Sequence, residues 1–96
     1  MLRLSFQTTI IEWRGPAPFF YAPLPAEQAV EIERIKRQAS YGWGVIPVEA
    51  EIGGVSFTTS LFPRDGTYLL PIKLAVRKQT GITVGDAVAV EMTIKH

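Results

Sequence analysis

Two adjacent glycines, Gly53-Gly54, separate two runs of alternating apolar and polar residues, Val45–Ile52 and Val55–Phe62. A two-residue Gly-Gly loop between such runs predicts a β-hairpin, because both loop positions take a positive φ that glycine reaches without steric cost. The loop length also sets the register: Ile52 faces Val55, Ala50 faces Phe57, Val48 faces Thr59 and Ile46 faces Leu61. All eight then share one face, and Thr59 is the one polar residue among them; Glu49, Glu51, Ser56, Thr58 and Ser60 lie opposite. A slip of one residue would turn every apolar side chain outward, so turn and pattern specify the pairing together. The chain is therefore organised around an antiparallel sheet with one buried face.

The same period of two runs through Leu2, Leu4, Phe6, Thr8 and Ile10, and again through Val88, Val90, Met92 and Ile94. These predict a first and a last strand, candidates to pair with each other and close a barrel, which removes exposed edges. Gly15-Pro16 ends the first strand just after Trp13, and Phe19-Phe20-Tyr21 forms a short aromatic strand stopped by Pro23 and Pro25. Thr67–Ile72 is a further strand in which Pro71 removes a ladder donor, so this strand ends, bulges or lies at an edge there. Residues 26–39 predict a helix with an apolar stripe of Ala29, Ile32, Ile35 and Ala39 and an outer Glu33–Arg37 pair at i,i+4. Lys73–Thr80 predicts a short helix, with Gly81 as its left-handed cap. Ile72 and Val76 can pack on the barrel while Lys73 and Arg77 point elsewhere. The expected architecture is mainly β: one domain over residues 1–96, a closed or partly open six-stranded barrel with one longer helix and one short one.

With 96 residues, 47% of them hydrophobic, the chain suits one modest core. It has no cysteine, so disulfides and thiolate metal sites are excluded. The net charge of +1 lacks the basic excess of a dedicated DNA binder. No run approaches 18 apolar residues, and the alternating N-terminus lacks the apolar core of a signal peptide, so the expectation is a cytoplasmic protein with no membrane partner.

Catalytic equipment is sparse. The one histidine, His96, is the last residue, which leaves no positioned base for a serine nucleophile. Glu49 and Glu51 share a strand face, where a solvated surface is the simpler reading than a carboxylate pair or a metal site. The glycines lack Walker spacing, and Asp86 reads as a residue bonding within its own turn. The expectation is no enzymatic activity, no cofactor and no metal.

Two binding surfaces remain. Trp13, Tyr21, Tyr41 and Trp43 fall at strand ends or loops, where amphipathic aromatics can line a barrel mouth, with Arg64, Lys73 or Arg77 as the partner of an anion. This points to a small molecule or a protein as partner. The alternative is nucleic acid held by Lys73, Arg77 and Lys78 on the short helix. Nucleic acid is less favoured, because the aromatic residues are not interleaved with basic ones along the sequence.

Phe6 through Trp13, the Leu24-Pro25 helix start, Val48–Ile52, Thr59-Ser60-Leu61, Tyr68–Lys73, Arg77-Lys78 and Gly85-Asp86-Ala87-Val88 together resemble the DUF1905 family of uncharacterised bacterial and archaeal domains. The resemblance implies a small double-split β-barrel with a helix beside it, and implies no enzymatic activity. Pro71-Ile72, Arg77-Lys78, Gly81-Ile82 and Gly85-Asp86 are also similar to the strand–helix–turn half of AbrB-type regulators and MazE-type antitoxins, which bind DNA as dimers. This chain holds about twice the strands of such a half and can form a similar barrel alone, so the resemblance concerns scaffold before DNA.

Overall fold

The computed structural model describes residues 1–13, 19–39 and 45–95. The elements run β1 (Leu2–Thr9), β2 (Ile11–Trp13), β3 (Phe19–Pro23), α1 (Ala26–Ala39), β4 (Ile46–Ile52), β5 (Val55–Arg64), β6 (Thr67–Ile72), α2 (Leu74–Thr80) and β7 (Ala87–Ile94). They form a seven-stranded sheet in the order β1-β7-β4-β5-β6-β3-β2, in which every pairing is antiparallel.

The β4–β5 hairpin has the register that its turn demands, from Ile52↔Val55 to Ile46↔Leu61. Gly53 and Gly54 take φ of 58° and 80°, the mirror-image turn whose twist matches that of the strands. Residues 2–9 of the first strand pair with the last as expected, from Leu2↔Ile94 to Thr9↔Ala87. The inward residues of these strands, among them Phe6, Ile46, Ala50, Leu61, Val90 and Ile94, join one buried core.

The expected first strand divides in two, which is why there are seven strands and not six. The break is Ile10. Its N–H donates to the Asp86 carbonyl at 2.9 Å, and its own carbonyl accepts from the Gly85 N–H at 2.8 Å. The turn before β7 thus holds a corner at Ile10, and beyond it the chain leaves β7 and pairs with β3. The sheet curls into a half-barrel that is open rather than closed. Its two edge strands, β1 and β2, are consecutive in the chain. Across the gap the Thr8 hydroxyl donates to the Pro23 carbonyl at 2.6 Å.

Pro71 sits where its missing donor is tolerated: β5 pairs with β6 only at Thr67, Tyr68 and Leu69, so Pro71 faces β3 alone. Helix α1 lies on the core side of the sheet, where Ala29 and Ile32 are buried and Ile35 packs beside them. Its entry is fastened to β6 by Leu24 N–H to the Tyr68 carbonyl (3.0 Å) and by the Thr67 hydroxyl to the Leu24 carbonyl (2.9 Å). Glu33 pairs at 2.8 Å with Lys36 and also accepts the Tyr68 hydroxyl at 2.8 Å. The expected Arg37 end of a Glu33 pair lies outside the described side chains, as does Ala39 of the stripe. Helix α2 ends as expected at Gly81, with φ of 75° and its N–H bonded to the Arg77 carbonyl. Among the described residues no helix is long and apolar enough to cross a membrane.

Candidate functional site

Two long stretches of chain each run through both halves of the sheet, and their outward rows change character at the same level. Outward from residues 2–13 point Arg3, Ser5, Gln7 and Thr9, and then, past the Ile10 corner, Ile11 and Trp13. Outward from β5 point Ser56, Thr58 and Ser60, and then Phe62 and Arg64. The change in β5 falls where its partner switches from β4 to β6. The β1-β7-β4 half therefore presents a polar outer face. There Glu49 pairs with Lys95 at 3.1 Å, and Glu51 accepts from the Ser56 hydroxyl at 3.4 Å.

On the β2-β3-β6 half the outer face is apolar. Cross-strand pairing sets Trp13 beside Phe19, Ile11 and Pro71 beside Tyr21, and Leu69 beside both Phe62 and Pro23. Leu69 is 3% exposed yet lies outside the main core cluster, so a second small apolar layer exists on this side. Trp13 and Phe19 remain 43% and 57% exposed. The rings meet edge to face: Trp13 to Tyr21 at 6.4 Å and Tyr21 to Phe62 at 5.3 Å between centroids. Such contacts contribute about 0.5–1.5 kcal/mol each beyond area burial.

Two arginines lie over aromatic rings of this half, Arg64 on the outer layer and Arg77 on the core residue Phe20 at its end. The Arg64 guanidinium sits 3.4 Å from the Trp13 ring centre and also bonds Asp65 at 3.3 Å. The Arg77 guanidinium sits 3.6 Å from the Phe20 ring centre. Arg77 is half-buried, its Nε is shut off from solvent without a hydrogen-bond acceptor, and no carboxylate among the described residues pairs with it. An orphaned donor of this kind costs about 1–3 kcal/mol.

Two adjoining clefts follow from this arrangement. One, of about 420 Å³, lies at the ends of β3 and β6, where the chain departs into α2; Phe20, Pro71, Ile72, Lys73, Leu74 and Arg77 line it. The other, of about 350 Å³, is lined by Trp13 and Phe62. Phe19 and Tyr21 form a wall common to both.

Of the residues expected at a ligand site, Trp13, Tyr21 and Arg64 come together at one end, and Lys73 and Arg77 at the other. Tyr41 and Trp43 lie outside the described residues. Two expectations need correction. Trp13 and Tyr21 do not line a barrel mouth; they lie on the outside of one half of the sheet, because they fall on the parity opposite to the core residues Phe20 and Ala22. Arg77, expected to point elsewhere than the barrel, lies over the ring of the core residue Phe20, which the start of β3 places beneath it. Ile72 and Val76 do pack in the core as expected. Asp86 bonds within its turn, accepting the Thr83 N–H at 2.9 Å.

Phe19, Phe62 and Leu74 were not expected at the site. The signal for Phe62 is present in the row Ser56, Thr58, Ser60, Phe62, where one apolar residue ends a polar series. No curated protein matches the chain significantly. The model of a family described as a domain of unknown function, DUF1905, matches residues 6–92. That span takes in the corner at Ile10, the hairpin, the aromatic strand and both arginines, and the chain accordingly belongs to the DUF1905 family.

Proposed function

We propose that this domain is a non-enzymatic binding module whose site is the aromatic outer face of the β2-β3-β6 half. The observation that carries the reading is the change of the outer rows from polar to apolar, between β1 and β2 and within β5. A sheet face that only met water would continue Arg3, Ser5, Gln7, Thr9 with more polar residues, as antiparallel sheets with one solvated face do. Exposed apolar patches on small domains mark interaction surfaces. Two clefts of a few hundred Å³ with aromatic walls and a few cationic groups have the dimensions and chemistry of small-ligand sites.

A fragment screen monitored by amide and indole NMR shifts tests this reading. Shifts clustered at Trp13, Phe19, Tyr21 and Phe62 are expected. A screen that moves none of them overturns it.

Nucleic-acid binding through the helix at 73–80 draws less support. Arg77 is half-buried over the Phe20 ring, which leaves Lys73 and Lys78 as the exposed cations of that helix and its approach. Under this second reading, single- or double-stranded DNA binds with a steep salt dependence that falls when Arg77 and Lys78 are both changed to glutamate. Fluorescence anisotropy at low salt without any binding removes it.

A further inference from the structure

The two clefts differ in charge, and the difference specifies the class of ligand. Arg64 shares its charge with Asp65 at 3.3 Å, and the cleft beside it is walled by aromatic rings alone. The Arg77 cleft holds two cations, Lys73 and Arg77, four residues apart along the chain and lining one hollow. Among the described residues neither has a carboxylate partner. Glu12, opposite Phe20 across the β2–β3 ladder, is the acid nearest in register and already has a partner of its own.

Stacking on Phe20 occupies the flat face of the Arg77 guanidinium. It leaves the edge, which carries the N–H donors, and these bond two oxygens of an acid in the guanidinium plane. The Arg77 Nε–H has no acceptor, so a small shift of the side chain onto an acid would satisfy a donor that is unmet at rest. Phe19 and Tyr21 lead from this charged end into the apolar cleft.

We infer that the ligand of this face is a flat apolar molecule carrying one anionic group, a carboxylate or a phosphate. The anion is held by Arg77 and Lys73, and the ring system lies against Phe19 and Tyr21 toward Phe62. The inference rests on the proposed binding role of the face and adds to it the polarity of the ligand and its direction.

Matched probes separate the two claims. Naphthalene-2-carboxylate, its neutral carboxamide and phenyl phosphate are titrated into the protein and followed by NMR. The carboxylate is expected to bind about tenfold or more tightly than the carboxamide, as a charge-assisted hydrogen bond in a partly desolvated site implies. Its shifts should centre on Phe20, Leu74 and Arg77. Lys73→Gln, at an exposed position, should lower that preference several-fold, and Arg77→Gln should erase it while carboxamide binding persists. If Arg77→Gln fails to fold, the Lys73→Gln ratio decides. Phenyl phosphate favoured over the carboxylate identifies the anion as a phosphate and upholds the inference. Equal binding of carboxylate and carboxamide, or shifts centred on Arg64 instead, overturns it and leaves the binding role standing. No binding by any probe or any neutral aromatic fragment overturns both.

Discussion

Gly54 and Tyr68 show how single positions contribute through different physics. A Cβ on Gly54 would touch nothing within 4 Å, so the cost of Gly54→Ala comes from its φ of 80° alone. A loss of about 1 kcal/mol is expected in urea denaturation, the penalty for a left-handed non-glycine residue. Tyr68 is buried to 4% exposure and donates to Glu33. Burial first, and then the bond to the Glu33 carboxylate, push its hydroxyl from the ordinary 10 up to about 12. Glu33 moves the opposite way: its bonds to Lys36 and then Tyr68 hold its carboxyl below the usual range. A folded-state value raised above the unfolded one means that the Tyr68 contribution is complete below pH 10 and is lost as pH climbs toward 12. Tyr68→Phe should therefore lose about 1 kcal/mol at neutral pH and show a shallower decline in stability between pH 10 and 12 than the parent. Parallel declines in the two proteins would contradict this account. Nothing in the sequence pairs Tyr68 with Glu33, because the contact spans 35 positions and depends on how α1 is laid across β6.

Helix α1 divides cleanly into a buried and an open side. Ile32 has no exposed surface, whereas Val30 is 52% exposed. Ile32→Ala should cost about 2–4 kcal/mol through the cavity it leaves. Val30→Ala should leave stability unchanged or raise it by a few tenths, since alanine is the better helix former. Equal effects in thermal denaturation would mean that the helix packs by another face. The stripe at helical spacing made this division legible in advance. β2 was less legible: the apolar positions shift from even to odd at Ile10-Ile11, but the corner that turns this shift into a separate strand depends on Gly85 and Asp86, far along the chain. The arginine contacts share that cause. Phe20 and Arg77 stand 57 positions apart, and only the pairing of β3 with β6 brings the end of one strand beneath the helix that follows the other.

In the assembled sheet β4 lies between β7 and β5, while β2 is a three-residue edge strand. Native-state hydrogen exchange should find the slowest amides in β4 and the fastest strand amides in β2, since local opening is easiest where few buried contacts oppose it. Uniform protection across the sheet would instead indicate a single cooperative unit with no weak edge. The adjacency of β1 and β7, the two ends of the described fold, makes the topology rich in non-local pairs. What the residues established without any coordinates was local or strictly periodic: the hairpin and its register, the parity of the core residues, the helix stripe and the Gly81 cap. Each follows from steric limits on φ and from a side-chain period that holds within one element. The curl of the sheet, its open edge and the meeting of Arg64 with Trp13 and of Arg77 with Phe20 came only with the fold. They depend on strand order and corner geometry, and those are set by where all the apolar faces can be buried at once.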